Sequence, residues 1–290
     1  MLDVLAQIIA FGLVLGGIYA LAATGLGLAW GIMHVINFAH GEWIMIAMYT
    51  TYWLVVLLGI DPFWTMPINI VLVAVIGYFT QKYLVEPVMK GGALATILTT
   101  FGLSSIMVGL AQALWKQNYY ATPNPYPAMV LRLGIIRLSA AHLMAFIFSV
   151  AVISLVYIFF KKTFTGKAIL ATSELIGDPE VASLVGINTE KIRLLTLTLA
   201  GASAGVAGTL IATFYYIYPY VGLAWCLICF VVVVLGGLAS FLGLFIAGLI
   251  IGVLEGLGAI IFGTAYSYLL VYAAFLIVLY LRPRGLMGRR

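Results

Sequence analysis

The residues best placed to do chemistry form a polar island, Asn37-Phe38-Ala39-His40-Gly41-Glu42, in a long and otherwise apolar stretch. An amide, an imidazole and a carboxylate in that setting offer hydrogen bonds and charge along a solute path. Ionisable side chains at membrane depth cost about 2.5 to 3.5 kcal/mol on insertion scales, so they face a bundle interior or a watery cavity. His40 and Glu42 are expected at or near a membrane boundary, where that cost falls. Asn37 and His40 either cap a broken helix or contact substrate.

Glu255 is flanked by Gly252, Gly256 and Gly258 in an apolar run, and needs a buried partner or a water-lined position. Thr96, Thr100 and Ser104 share one face of a further apolar segment. They either bond back to their own helix or line a pathway. Cys226 and Cys229 form a C-x-x-C with no third cysteine and no neighbouring histidine, so they read as small apolar filler and not as a metal or redox site. Gly248, Gly252 and Gly256, and separately Gly201 and Gly205, stand at the spacing that lets helix backbones approach closely, within a bundle or against a paired subunit. No metal site, catalytic triad or carboxylate pair can be assembled.

These groups must be carried by membrane helices. Hydrophobic residues make up 64% of the chain and charged ones 8%, and the mean hydropathy is +1.18, which excludes an ordinary soluble domain. Stretches long enough to span a bilayer run from Leu5 to Trp30, Phe38 to Leu58, Phe63 to Tyr83, Ala93 to Trp115, Ala140 to Phe160 and Ile192 to Phe214. Three more run from Tyr215 to Leu235, Phe241 to Phe262 and Tyr266 to Leu281. The expectation is an all-α polytopic transmembrane bundle of eight to nine helices, forming one domain over residues 1–290. Asp3 and the length of the first segment argue for a retained helix over a cleaved signal.

Basic residues set the orientation. With the tail from Arg282 inside, Lys82, Lys90, Lys161, Lys162, Lys167, Lys191, Arg193, Arg282, Arg284, Arg289 and Arg290 are cytoplasmic. Lys116, Arg132 and Arg137 remain outside. The net charge of +5 is thus a topology signal and not a nucleic-acid surface. The external segment 117–139 carries Pro123, Pro125 and Pro127 on alternate positions, which favours an extended shape.

The internal loop, about residues 161–193, is the one strongly charged segment. Asp178 followed by Pro179 predicts a short helix through Glu180, Val181, Ala182, Ser183, Leu184 and Val185, with Asp178 as its cap. Gly186, Ile187 and Asn188 stop it. Val181, Leu184 and Val185 give it an apolar stripe outside the bilayer. The helix has no basic residue of its own, so docking or packing is favoured over lying on lipid.

Together with Gly17-Ile18-Tyr19-Ala20-Leu21, the Asn37 to Glu42 island, and the Ala182 to Asn188 element, three later motifs carry a resemblance: Leu235-Gly236-Gly237-Leu238-Ala239-Ser240, Gly252-Val253-Leu254-Glu255 and Arg282-Pro283-Arg284-Gly285-Leu286. In this order they resemble LivH-type permeases of branched-chain amino acid ABC importers. The resemblance implies a second, LivM-like permease, two cytoplasmic ABC ATPase subunits that bind the ATP and Mg, and a periplasmic or lipid-anchored solute-binding protein. It implies an inner-membrane location with the C-terminus cytoplasmic, no cofactor in this chain, and an ATPase-coupling role for Asp178 to Asn188. One departure is Gly166-Lys167-Ala168-Ile169-Leu170-Ala171 where the family has Gly-Arg-Ala-x-Arg-Ala.

No phosphate-cradling G-x-x-x-x-G-K-[ST] loop is present, so ATP hydrolysis must come from another chain. A secondary transporter or channel would also use Gly-rich broken helices, but with more acidic residues along its route. A membrane enzyme would need a polar catalytic cluster. The reading reached is a permease moving small amino acids by alternating access, with urea or short amides as the alternative solutes. Asn37, His40, Glu42, Thr96, Thr100 and Glu255 are its candidate pathway residues.

Overall fold

The structure is a computed structural model that describes residues 2–173, 177–238, 240–282 and 285–287. Ala239, Pro283, Arg284, Arg289 and Arg290, used above, lie outside the described residues. Each of the nine apolar segments contains a helix, and the protein is an all-α, multi-pass membrane bundle.

Helix α1 (Leu2–Met33) ends where His34 takes a left-handed φ of 52°, and α2 (His40–Leu58) follows after an irregular return. Gly59, at φ 64°, caps α2 by donating to the carbonyl of Val55, the glycine C-cap geometry. Residues Pro62–Trp115 form a helical stretch of 54 residues, about 80 Å at the usual rise and too long for one crossing. It comprises α3 (Met66–Phe79), a π turn at Thr80–Val85, α4 (Glu86–Val88) and α5 (Gly92–Trp115). Gly92, at φ 79°, makes the break before α5.

Segment 117–139 is extended only in part: Pro123 lies in irregular chain, but Pro125 and Pro127 fall in a turn in which the amides of Ala128 and Met129 donate to the carbonyls of Pro125 and Tyr126, and the segment closes in a hairpin of β1 (Val130–Leu133) and β2 (Ile136–Ser139) with Arg132 opposite Arg137. The Gln7 side chain clasps the hairpin like a peptide group, donating to the carbonyl of Arg137 and accepting its amide, both at 2.7 Å.

Helix α6 (Ala140–Lys162) leads to the charged segment, which is more helical than a loop. It contains α7 (Phe164–Ala171) and α8 (Pro179–Leu184), and it runs into α9 (Thr189–Ile211). Thr163 caps α7 by accepting from Gly166 N at 3.0 Å. The remaining helices are α10 (Val221–Gly236), α11 (Phe241–Phe262) and α12 (Tyr268–Leu281). Residues Tyr215 to Tyr220 are not helical, so the seventh segment begins at Val221 and is only 16 residues long.

Two packing patterns match. In the first, α11 lies antiparallel on α1: a Cβ on Gly16 would meet the Gly248 carbonyl at 2.5 Å, one on Gly12 the Gly252 carbonyl at 2.7 Å, and one on Gly256 the Ile8 side chain at 2.7 Å. In the second, α3 lies antiparallel on α9 in the same rhythm, pairing Gly205 with Asn69, Gly201 with Val73, and Gly77 with Leu197. Further contacts correspond as well. Ala20 touches Gly248 as Thr209 bonds Asn69, and Tyr19 meets Trp225 as Gly208 meets Ile44.

Helices α1 and α9 themselves run oppositely. Gly25 meets Ala200 and Ser203, while His142 bridges Phe11 and Phe214. The units α1–α3 and α9–α11 therefore form an inverted repeat, a construction common in transporters. The apolar core sits between them, with Ile18, Leu21, Trp43, Tyr49 and Leu210 fully buried. The outer faces of α5, α6 and α12 remain exposed and apolar, as at Leu94, Leu98, Leu155 and Leu276.

Candidate functional site

Helices α2 and α10 both begin inside the bundle. His40 Nε2 bonds the carbonyl of Ala22, in the middle of α1, at 2.8 Å, because residues 34–39 fold back from the end of α1 before α2 starts. This corrects the expected boundary position: His40 and Glu42 are 0% and 1% exposed. The start of α10 lies against them. A Cβ on Gly41 would fall into the Gly222 backbone and within 2.7 Å of Cys226 Cβ, and one on Gly222 would meet the Glu42 amide at 2.9 Å. Only glycine at both positions lets the two helix starts touch.

Helix α5 supplies the polar face opposite this junction. Thr100 Oγ1 donates to the carbonyl of Ile36 at 3.0 Å and accepts the amide of Phe38 at 3.3 Å. Ser104 Oγ donates to Glu42 Oε1 at 2.9 Å. Asn37 Oδ1 accepts the Ala39 amide at 3.1 Å, and the Cys226 thiol donates to the carbonyl of Phe38 at 3.4 Å. The irregular backbone of residues 36–39 is thus satisfied from three sides, as buried backbone must be. Among the described residues, Asn37 Nδ2, His40 Nδ1 and Glu42 Oε2 are buried without hydrogen-bond partners.

The structure therefore brings Asn37, His40, Glu42 and Thr100 together and adds Ser104 and Gly222. Thr96 shares the buried face of α5 but bonds only its own helix, at the carbonyl of Ala93. Glu255 stands apart, its carboxylate accepting from the Tyr19 hydroxyl. Tyr19 in turn packs its ring on Trp225 with centroids 5.5 Å apart.

Between α7 and α9, Asp178 caps α8, accepting from Glu180 N at 2.8 Å and Val181 N at 3.2 Å. Gly186, at φ 87°, ends the turn, and Asn188 caps α9 by accepting from Lys191 N at 2.9 Å. Ala182 packs inward, whereas Val181, Leu184 and Val185 are 56%, 86% and 72% exposed. Asp178, Pro179, Glu180, Gly186, Ile187 and Asn188 thus build a capped turn that holds an apolar edge outward. Gly201 and Gly205 contact α3, and Gly248, Gly252 and Gly256 contact α1, so all five serve packing inside this chain.

Three features escaped sequence reading. Gly12 and Gly16 complete the contact with α11; their four-residue spacing was visible, their partner was not. Asn69 Nδ2 lies 2.8 Å from Thr51 Oγ1 and 2.7 Å from Thr209 Oγ1, locking α3 to α2 and α9. Arg193 at the start of α9 grips Glu86 of α4 with both forks of its guanidinium, and Gln81 supports the same carboxylate at 2.7 Å. Among the described residues no cluster of His, Cys, Asp and Glu could hold a metal ion.

Comparison with known proteins places these features. The family described as branched-chain amino acid transport system, permease component, matches residues 8–279. The high-affinity branched-chain amino acid transport permease LivH of Salmonella typhimurium is 31% identical over 291 residues, covering 96% of this chain and 94% of that protein. LivH of Escherichia coli K12 matches with the same identity and coverage. BraD of Pseudomonas aeruginosa, a permease of the same kind, is 28% identical over 291 residues, 96% of this chain and 94% of its own length. No solved structure matches.

Proposed function

We infer the function from membership: the chain belongs to the family of branched-chain amino acid transport permease components. It is a permease subunit of an ABC importer that carries leucine, isoleucine or valine across the inner membrane by ATP-driven alternating access. It is not itself an enzyme. Two separate cytoplasmic ATPase subunits bind ATP and Mg, a second LivM-like permease completes the pore, and a periplasmic or lipid-anchored binding protein delivers the solute.

The observation that carries the reading is α8, a capped helix with Leu184 86% exposed beside Val181 and Val185. An apolar edge so exposed outside the membrane helices is what a soluble partner covers. On this reading α8 and the C-terminus face the cytoplasm. Closure of the ATPases moves α8, Asn188 passes the motion to α9, and the Arg193–Glu86 pair passes it to α4 and the π turn.

The inverted repeat with helices starting inside the bundle also fits a secondary transporter, which would run without ATP. Co-purification from mild-detergent membranes separates the two. Recovery of P-loop ATPases with hydrolysis stimulated by a leucine-loaded binding protein supports the importer. A chain that purifies alone and moves solute into liposomes without ATP overturns it. Stimulation by urea or a short amide in place of leucine would reassign the solute.

A further inference from the structure

The β1–β2 hairpin carries two like charges side by side. Arg132 stands directly opposite Arg137. Gln7 takes both the amide and the carbonyl of Arg137, so these groups point away from β1. The two arginines are therefore a non-hydrogen-bonded antiparallel pair, with Cα atoms about 4.5 Å apart and side chains at their closest. Like charges so placed destabilise a hairpin. Both side chains are exposed. No carboxylate answers them: among the described residues the one ion pair joins Arg193 to Glu86, and Asp3, a turn before Gln7 on the same face of α1, pairs with neither arginine.

Aliphatic side chains flank the charges. Val130 shares the face of the hairpin that bears the arginines, and Ile135 stands at the tip, where Gly134 at φ 63° makes the first corner of the turn. Both are more than half exposed, whereas Leu138, on the other face, is turned into the protein. β2 runs without a break into α6, whose cap is Ser139, and Gln7 holds it against the second turn of α1. Helices α1 and α6 are both long and apolar enough to cross a membrane. The hairpin thus sits where two spans emerge, at the level of lipid headgroups and at the opposite end of α6 from α8. Cations beside exposed aliphatic groups are the composition of an element lying in a membrane interface. An acidic protein surface would satisfy the arginines but give Val130 and Ile135 nothing to rest on.

We propose that the hairpin is a site for an anionic phospholipid, whose phosphate is held between the guanidinium groups of Arg132 and Arg137 while Val130 and Ile135 rest on its glycerol and upper acyl carbons. Arginine suits this role because its planar fork meets phosphate with two parallel hydrogen bonds. The bound charge offsets the repulsion across the hairpin, so lipid and hairpin stabilise each other. The site does not depend on which solute the permease carries.

The test is thermal unfolding of the full transporter in nanodiscs of phosphatidylcholine or of phosphatidylglycerol, native against Arg132→Gln with Arg137→Gln. In phosphatidylcholine the double variant should unfold at or above the native temperature, because the repulsion is gone. In phosphatidylglycerol the order should reverse, with the native chain the more stable. Basic residues elsewhere respond to phosphatidylglycerol in both proteins alike, so the reversal reports on the hairpin. The same order in both lipids overturns the site.

A photoreactive phosphatidylglycerol gives a second readout, with cross-links located by mass. Labelling should fall on residues 129–138, and its apparent affinity should drop roughly thirtyfold in the double glutamine variant, since each arginine at a negative membrane surface is worth about fivefold. Arg132→Lys with Arg137→Lys keeps the charge without the fork and should recover part of that loss. Equal labelling of the native and glutamine proteins overturns the site. Displacement by millimolar inorganic phosphate at constant ionic strength would make it a free-anion site instead. If the glutamine variant kept its lipid labelling but lost stimulation of ATP hydrolysis by the binding protein, the hairpin would be a protein-docking surface and the lipid site would be wrong.

Discussion

Gly41 of α2 and Gly222 of α10 touch backbone to backbone, and neither has room for a Cβ. Two helices that start within the bundle therefore meet head to head at a contact only glycine permits. Overpacking a junction of this kind costs about 1–3 kcal/mol. Gly222→Ala should lower the melting temperature of the purified transporter and cut leucine uptake at least tenfold; an alanine variant with native stability and uptake would show that the contact opens freely.

The α1–α11 seam makes a sharper comparison. Gly248→Ala puts a methyl group 2.5 Å from the Gly16 carbonyl, whereas Gly102 and Gly109 on α5 have nothing within 4 Å. Alanine at 248 should destabilise, while alanine at 102 or 109 should be neutral or stabilise by about 0.5–1 kcal/mol through helix propensity. Thermal unfolding of the three variants in one detergent decides it, and equal shifts would dissolve the seam.

The Glu86–Arg193 pair is partly exposed, with side chains 23% and 28% accessible, so its coupling is discounted to about 1 kcal/mol. Its weight lies in position, since it bridges α4, beside the π turn, to α9. A double-mutant cycle with Glu86→Gln and Arg193→Met should show coupling in transport rate larger than in stability. Purely additive transport losses would argue that α4 and α9 move independently.

Val181→Asp with Leu184→Asp alters exposed positions and should leave the unfolding free energy of the isolated chain within about 0.5 kcal/mol of native. The same pair should abolish ATPase association, measured by co-purification. Asp178→Ala should weaken association less, by loss of a cap worth about 1 kcal/mol. Full assembly of the Val181/Leu184 double variant would remove α8 from the ATPase interface.

Much of this was legible in the sequence, for stated reasons. Apolar length alone located the nine helices, and Asp178 before Pro179 marked α8 because capping chemistry is local. The placement of His40 was not legible, since counting crossings puts every break at a boundary and cannot see residues 34–39 fold back toward Ala22. The late start of α10 reflects Pro219 among four tyrosines, an interfacial turn composition that counting apolar length alone passes over. Thr163 was a readable cap for α7, masked by the surrounding charge. The Glu86–Arg193 and Asn69–Thr209 partnerships join residues far apart in the chain, which no local pattern announces.

The two inverted units are built alike but fastened differently. Where Asn69 is bolted by hydrogen bonds to Thr51 and Thr209, the matching place in the other unit holds Gly248 against Ala20, bare backbone on a methyl group. One seam is pinned at this point, whereas the other is pinned elsewhere, where the Tyr19 hydroxyl of α1 donates to Glu255 of α11. Shear between α3 and α9 would break the bonds to Asn69, so a push received at α9 carries α3 with it as one body.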